Sequence, residues 1–249
     1  MNNSTLSFWS ELGEQYQAFS ILSDERDWQS IIQQIAAIIA SNAGATRRIL
    51  DYGSGLGTTA ASVRRHLYGN HGLLSSWLLY DPDDFARKAS ILNMPQISDE
   101  LNVTVADKVS LQDNLDFVLF VHTSYYIDRF DNELDRVFST LLARSNGQVI
   151  CIAMPNTSPF FISGLNSTHI WTAEQILAIA EKKGLKSNVI KLRSRFRWLP
   201  QIGTDNMLSS LITSFVCGQR SITEKKIELA REMLIGEVDF GDWLIVIKR

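Results

Sequence analysis

The stretch with the most chemical meaning is the glycine-rich run Asp51–Gly57, which joins an apolar strand to a predicted helix over Thr59–Leu67. Its glycines stand at alternate positions, 53, 55 and 57. Glycine permits the positive φ and the close backbone approach that a sharp strand-to-helix turn needs. The N–H groups that open the helix then face whatever lies over the turn. The run therefore predicts either a site for a nucleotide-like ligand or an unliganded turn.

The spacing of the glycines separates this turn from the dinucleotide-binding fingerprint. That fingerprint needs its third glycine one residue later, where this chain has Thr58. Hydride transfer with a nicotinamide cofactor is therefore a weaker hypothesis.

A carboxylate follows the next predicted strand, Trp77–Tyr80, in the sequence Asp81-Pro82-Asp83-Asp84. A carboxylate at the end of such a strand can accept hydrogen bonds from both hydroxyls of a ribose. The same acids could instead cap the following helix. The two interpretations are compatible.

The most apolar strand, Leu115–Val121, ends in the polar and aromatic run His122–Ile127. A strand so apolar is expected at the centre of a parallel sheet. Ligands of open α/β sheets lie at the carboxyl ends of the strands, so a substrate would meet a bound cofactor here. Alternatively, His122 is a hydrogen-bonded histidine of the core or of a loop.

Helices and strands that alternate along the chain must position these residues. Apolar periodicity predicts one long helical run over Phe8–Ser41, before the first strand. The other predicted helices and strands are Asn102–Ala106, Asp131–Leu142, Gln148–Met154, Thr172–Lys183, Lys191–Trp198, Met207–Cys217, Glu224–Leu234 and Asp239–Lys248. Lys191–Trp198 reads as a strand with one charged face, either a solvated edge or a surface for an acidic partner.

The 249 residues fit one large α/β domain, with residues 1–44 as an N-terminal helical lid and 45–249 as the core. The segment Phe8–Phe19 mixes aromatic residues with acids and amides, so it is either a lid over a ligand or a surface helix.

A formal net charge of −3 favours a small-molecule partner over nucleic acid or a membrane surface. Cys151 and Cys217 lie far apart with no further ligands nearby, so neither a disulfide framework nor a metal is expected. With no leader or membrane-spanning segment recognised, we expect a cytoplasmic protein that is a monomer or weak dimer.

The turn Asp51–Gly57 resembles motif I of the class I S-adenosylmethionine-dependent methyltransferases, and the order of elements resembles that fold over nearly all of the chain. The resemblance implies a seven-stranded Rossmann-like α/β sheet with N-terminal lid helices, and S-adenosyl-L-methionine as the cofactor. It implies that Asp107 borders the adenine, although Asp107 could equally be a solvated loop acid. The implied cofactor-binding residues are Tyr16, Asp51, Gly53, Ser54, Gly55, Asp81, Pro82, Asp107, Lys108 and Val121.

Within that superfamily, the run Asp116–Ile127 resembles the fourth strand and tyrosine pair of the histamine N-methyltransferase-like group. The resemblance implies that Glu14 contacts a cationic amine. Where the group has a glutamine that contacts the substrate, this chain has His122, so we expect an acceptor other than histamine.

The implied reaction is in-line methyl transfer to a nitrogen or oxygen of a small molecule. We predict that His122 hydrogen-bonds or deprotonates the acceptor, since a histidine titrates near neutrality. Tyr126, Tyr16 and Phe19 would line the pocket beside Glu14.

Other classes fit the sequence less well. The fourth strand does not end in the Asn/Asp-Pro-Pro-Tyr sequence of enzymes that methylate nucleic-acid amines, and no basic stripe tracks phosphates. No carboxylate cluster indicates a catechol-type metal site. Two alternatives stay open within the fold: a binding domain without turnover, and an O- or C-methyltransferase of a natural-product pathway.

Overall fold

A seven-stranded sheet forms the centre of the molecule, in the order β4-β3-β2-β5-β6-β10-β7. The computed structural model describes residues 15, 23–25, 27–42, 46–94, 103–109, 114–142, 146–162, 171–198, 206–217, 222–234 and 237–249. The strands of this sheet are β2 (Thr46–Tyr52), β3 (Leu74–Tyr80), β4 (Val103–Ala106), β5 (Phe117–Val121), β6 (Gln148–Ala153), β7 (Lys186–Lys191) and β10 (Trp243–Lys248). All neighbours pair in parallel except β10, which is antiparallel to both β6 and β7.

A second, antiparallel sheet has the order β1-β8-β9. Its strands are β1 (Ser23–Glu25), β8 (Arg195–Trp198) and β9 (Glu237–Asp239). The helices of the described residues are α1 (Trp28–Ala40), α2 (Thr58–His71), α3 (Asp84–Asn93), α4 (Phe130–Arg136), α5 (Pro159–Ile162), α6 (Ala173–Lys182), α7 (Asn206–Cys217) and α8 (Glu224–Leu234). A 3₁₀ turn covers Ser124–Tyr126, and a π-helical turn over Val137–Leu141 extends α4.

Helices cover both faces of the central sheet, so its middle strands are apolar throughout. Successive residues of β5 point to opposite faces: Phe117 packs in a core cluster with α1 and α2, and Val118 in a second cluster with α4 and α6. A strand buried on both faces reads as a continuous apolar run, which is why β5 was recognisable. The predicted Rossmann-like seven-stranded sheet is confirmed.

The first predicted helix is wrong over part of its length. Residues Ser23–Glu25 form a strand that pairs with β8, and the helix begins only at Trp28. Ile31, Ile32, Ile35 and Ile39 of α1 are buried in the core, so this part of residues 1–44 supports the sheet. The rest of the predicted lid, apart from Gln15 and Ser23–Glu25, lies outside the described residues.

The predicted strand Lys191–Trp198 is two strands of different sheets. β7 ends at Lys191, and Arg195–Trp198 pairs instead with β1. Arg195, the first residue of β8, forms an ion pair with Asp27 at the start of α1, at 2.7 Å between Nη2 and Oδ1. This arginine of the basic segment therefore has its acidic partner within the chain.

The final predicted strand also divides, at Gly241, whose φ is +66°. Because β7 ends and β10 begins at the carboxyl edge of the parallel strands, the segment between them leaves and returns at that edge. The second sheet is therefore anchored to the edge where ligands of such folds bind. Within the described residues, no helix has the length and apolar character to cross a bilayer.

Candidate active site

The glycine turn after β2 has the backbone geometry that its sequence indicates. Gly53, Gly55 and Gly57 have φ of 74°, 51° and 72°. A Cβ on Gly53 would lie 2.3 Å from Cγ2 of Thr123, and one on Gly57 would lie 2.8 Å from Cβ of Ser90. Close packing and positive φ therefore both require glycine at positions 53 and 57.

The first amides of the turn are used within the protein. Gly53 N and Ser54 N donate to the carbonyl oxygen of Tyr80, at 2.7 and 2.9 Å, which ties the turn to the end of β3. Gly57 is the N-cap residue of α2 and has no side chain that could accept from the first amides of the helix. The amides left to face a ligand are therefore those that open α2, where the helix dipole adds partial positive charge.

Asp81, at the end of β3, is fully buried beside the turn. Its Oδ2 accepts from Gly55 N and its Oδ1 accepts from Asp83 N, each at 2.9 Å. Burial raises the pKa of Asp81 to about 6, although both hydrogen bonds oppose that shift. Each carboxylate oxygen keeps a second lone pair for another donor. The capping role belongs to Asp83, which accepts from Ala86 N at 2.9 Å.

Asp51, at the end of β2, is a buried carboxyl group with an unsatisfied oxygen. Its Oδ2 has no hydrogen-bond partner, and only 2% of the residue is exposed. Burial, and secondly the charge of Asp81, raise the pKa of Asp51 to about 7. An unpaired buried carboxylate is costly, so a donor from a ligand would stabilise this position.

Buried side-chain atoms without a hydrogen-bond partner concentrate along the same edge. Among the described residues, five of these atoms belong to residues in or next to strand ends at the carboxyl edge: Asp51 Oδ2, Ser54 Oγ, Ser124 Oγ, Ser158 Oγ and Asp242 Oδ1. The other two, on Thr213 and Arg231, belong to α7 and α8. Since buried polar groups are normally paired, the edge has the polar character of a ligand site.

The tip of β5 forms the second half of the site. His122 has a φ of 51°, uncommon for a residue with a side chain, and its N–H donates to Ile152 O at 3.0 Å. Its ring stacks on Trp28, with centroids 6.1 Å apart and planes 28° apart. Nδ1 lies 3.0 Å from the hydroxyl of Tyr125, and Nε2 lies 3.3 Å from Oδ2 of Asp242. Protein groups therefore hold both ring nitrogens.

The partners of His122 are themselves fixed. Met154 N donates to the hydroxyl oxygen of Tyr125 at 2.9 Å. Burial, and secondly the charge of Asp242, raise the pKa of Tyr125 well above its ordinary value, so the hydroxyl stays protonated. Asp242 is only 1% exposed, and its Oδ1 has no partner.

The predicted site residues that the structure describes lie side by side at this edge. Asp107 follows β4, Asp81 follows β3, the turn follows β2 and His122 follows β5, in the order in which those strands neighbour one another. Asp107 and Lys108 are exposed, and Pro82, Val121 and Tyr126 are half-buried. Tyr126 packs edge-on against Tyr125, with ring centroids 6.3 Å apart. Glu14, Tyr16 and Phe19 lie outside the described residues.

Sequence reasoning missed three residues of the site. Asp242 could have been found, because an acid directly before an antiparallel last strand falls at the carboxyl edge. Tyr125 had a visible place in the tyrosine pair, but its contact with His122 depends on the 3₁₀ turn. Trp28 was assigned to an apolar helix face, and nothing in its spacing indicates a histidine as neighbour.

Comparison with known proteins identifies the fold. No family model and no curated protein matches the sequence. Solved structures similar to this chain include the YcgJ protein from Bacillus subtilis, with a TM-score of 0.59, 14% identity, and coverage of 88% of this chain and 98% of that one. The [4+2]-cyclase SpnF has a TM-score of 0.56 and 12% identity over 87% of this chain and 81% of its own.

A third similar structure is phosphoethanolamine N-methyltransferase 2 from Haemonchus contortus, in complex with phosphomonomethylethanolamine and S-adenosylhomocysteine. It has a TM-score of 0.52 and 14% identity, over 87% of this chain and 51% of its own. The chain has the Rossmann-like fold of the class I methyltransferases. That fold also occurs in a protein named for a cyclisation, so the chemistry must be argued from the site.

Proposed function

We propose that this protein is an S-adenosylmethionine-dependent methyltransferase that acts on the nitrogen of a small cationic amine. The observation that carries the proposal is the unpaired, buried oxygen of Asp51 beside a glycine turn at the carboxyl edge. The amino group of the cofactor's methionine end is a donor that would satisfy it. A structure of similar fold contains S-adenosylhomocysteine, which supports the choice of cofactor.

The remaining cofactor contacts follow from the positions of the strand ends. Asp81 has lone pairs left for the two ribose hydroxyls, and Gly55 N keeps its carboxylate oriented. Asp107 and Lys108 would border the adenine, and Pro82 and Val121 would flank the nucleoside. Gly53, Ser54 and Tyr16 complete the proposed set. When bound, the cofactor supplies a methyl group on a positively charged sulfur, which is already a good electrophile.

The acceptor side favours a cation. Asp242 is a buried carboxylate whose Oδ1 lacks a donor, and His122 holds its Oδ2. An ammonium N–H at Oδ1 would complete the hydrogen bonding, and Tyr126 and Trp28 would offer aromatic surface to the cation. Glu14 would add a second negative charge. A protein of similar fold is named for methylation of an amine, which agrees with this class of acceptor.

The protein's share of the catalysis is positioning and proton removal. An ammonium group must lose a proton before its lone pair can attack. Because Tyr125 and Asp242 engage both ring nitrogens of His122, we assign proton removal to the Asp242 carboxylate in place of the predicted His122, whose role becomes to hold that carboxylate. Attack also requires the nitrogen to lie about 3 Å from the methyl carbon and in line with the departing sulfur. We expect a monomer or weak dimer that acts in the cytoplasm.

A methyl-transfer screen tests the proposal. The purified protein is incubated with S-adenosylmethionine and panels of small amines, amino-acid derivatives and phenols, and S-adenosylhomocysteine release is measured. We expect turnover with a primary or secondary amine. Turnover with phenols alone would overturn the amine assignment. Cofactor binding without transfer to any acceptor would favour a binding domain instead.

A further inference from the structure

The hydrogen bonds around His122 form a chain whose direction is set at its first link. A main-chain N–H can only donate, so the hydroxyl oxygen of Tyr125 must accept from Met154 N. The single hydrogen of that hydroxyl is then available for Nδ1 of His122, 3.0 Å away. When Nδ1 accepts that hydrogen, it carries none of its own.

In that arrangement the hydrogen bonds select one tautomer of His122. With Nδ1 unprotonated, the ring hydrogen lies on Nε2, which donates to Oδ2 of Asp242 at 3.3 Å. A second proton on Nδ1 would place two hydrogens between that nitrogen and Tyr125. The hydroxyl hydrogen of Tyr125 would then lose its hydrogen-bond acceptor inside the protein, which is unfavourable.

Among the described residues, the groups whose contacts with the His122 ring are known come from three segments. Tyr125 belongs to the 3₁₀ turn, Asp242 to the loop before β10, and Trp28 to the start of α1. Asp27, next to Trp28, is a carboxylate already paired with Arg195. Asp242 is the one negative group in contact with the ring among these described residues, and it would favour a charged imidazole. Tyr125 opposes that charge.

We propose that Tyr125 is a positioning residue that keeps His122 uncharged and so leaves Asp242 with its full negative charge for a cationic acceptor. A charged His122 would neutralise Asp242, and the buried pair would no longer attract an ammonium group. A neutral Nε2–H donor instead fixes the carboxylate and preserves its charge. The functional part of this inference rests on the proposed amine acceptor, whereas the tautomer does not.

Long-range ¹H–¹⁵N correlation spectra of the histidine rings test the inference without any acceptor. The chain has four histidines, and a His122→Gln variant assigns the signals of position 122. In the wild-type protein we expect Nδ1 of His122 to be unprotonated and Nε2 to be protonated near neutral pH. Sequential resonance assignment of the wild-type protein identifies the same signals, so the test does not depend on whether the variant folds.

The Tyr125→Phe variant tests the role of the hydroxyl. Loss of the donor to Nδ1 should raise the midpoint of the His122 titration by about one pH unit. Tyr68→Phe is the matched control, because Tyr68 is half exposed on α2 and should leave the spectrum unchanged.

A wild-type spectrum with hydrogen on Nδ1, or an unchanged titration in Tyr125→Phe, would overturn the inference. Failure of the amine screen with the expected spectrum would instead reject the proposed function and leave the tautomer standing. The two failures are therefore distinguishable.

Discussion

The two halves of the carboxyl edge are built in different ways. The turn half, Asp51–Gly57 with Asp81, is held by main-chain amides from one continuous stretch and the neighbouring strand end. The tip half is held by side chains of His122, Tyr125 and Asp242, which come from the tip of β5 and the start of β10. The hydrogen bonds that hold one half therefore do not involve the groups that hold the other. We therefore expect substitutions to separate cofactor binding from acceptor recognition.

The largest effect is expected for Gly53→Ala in the turn half. Alanine at this position would have to keep a positive φ, and its Cβ would lie 2.3 Å from Cγ2 of Thr123. The backbone strain and the clash together should cost about 3 kcal/mol of stability. Urea unfolding measures this loss, and calorimetry should show that S-adenosylmethionine no longer binds.

Gly72→Ala is the matched control for that change. Gly72 also has a positive φ, of 61°, but a Cβ there would meet no atom within 4 Å. We expect a loss of about 1 kcal/mol and unchanged cofactor binding. Equal losses of stability in Gly53→Ala and Gly72→Ala would mean that Thr123 does not pack against the turn.

Much of the turn half could be predicted from sequence, and the reason is physical. Glycines at alternate positions after an apolar strand leave few conformations, and the residues that form the turn are contiguous. Asp81 could be placed because parallel strands all end at one edge. The single helix predicted over Phe8–Ser41, by contrast, is wrong over Ser23–Glu25, and its apolar spacing reflects the packing of Ile31, Ile35 and Ile39 of α1 in the core.

The tip half could be predicted only in part. The polar run after β5 located His122, but its partners depend on how distant segments return to the edge. Asp242 reaches it because the chain leaves the sheet after Lys191, forms the second sheet and re-enters as β10. The alternating charges of Lys191–Trp198 suggested one continuous strand, and the pairing of its second half with β1 was not visible in the local pattern.

Asp242→Asn should give the next largest effect, confined to the tip half. If Asp242 faces the proposed cationic acceptor, loss of its charge should lower kcat/KM about 30-fold, equivalent to about 2 kcal/mol. Cofactor affinity should stay within about twofold of wild type. Asp135→Asn, at an exposed acid paired with Lys183, is the control and should leave both unchanged. A parallel loss of cofactor affinity in Asp242→Asn would mean that the two halves are not separable.

Asp51→Asn should change the pH dependence of the free energy of unfolding, because it removes a buried ionisable group from the turn half. The folded-state pKa of Asp51, about 7, lies above the unfolded value of about 3.9. The folded protein therefore holds the proton more tightly, and stability from this group is full below pH 4 and is lost as pH rises through 7. Asn cannot ionise, so the variant should gain on the order of a few kcal/mol over wild type at pH 8 and little at pH 4. Equal gains in the free energy of unfolding at pH 4 and pH 8, measured with urea, would contradict the raised pKa of Asp51.

The smallest effect is expected for Asn93→Ala, which removes a side chain that supports the turn. Asn93 Nδ2 donates to Leu56 O at 2.8 Å, and the residue is exposed. Loss of one exposed hydrogen bond should weaken cofactor binding only about twofold, because the main chain holds the turn. A loss of tenfold or more in titration calorimetry would mean that the main chain alone does not hold the turn in shape.

Titration calorimetry of the wild-type protein with S-adenosylmethionine tests the central claim most directly. We expect one binding site per chain, competition by S-adenosylhomocysteine, and affinity at least about tenfold weaker in Asp81→Asn, whose new amide N–H₂ could no longer accept from a ribose hydroxyl. A folded protein that takes up no S-adenosylmethionine, or binds it equally well without the Asp81 carboxylate, would contradict the account.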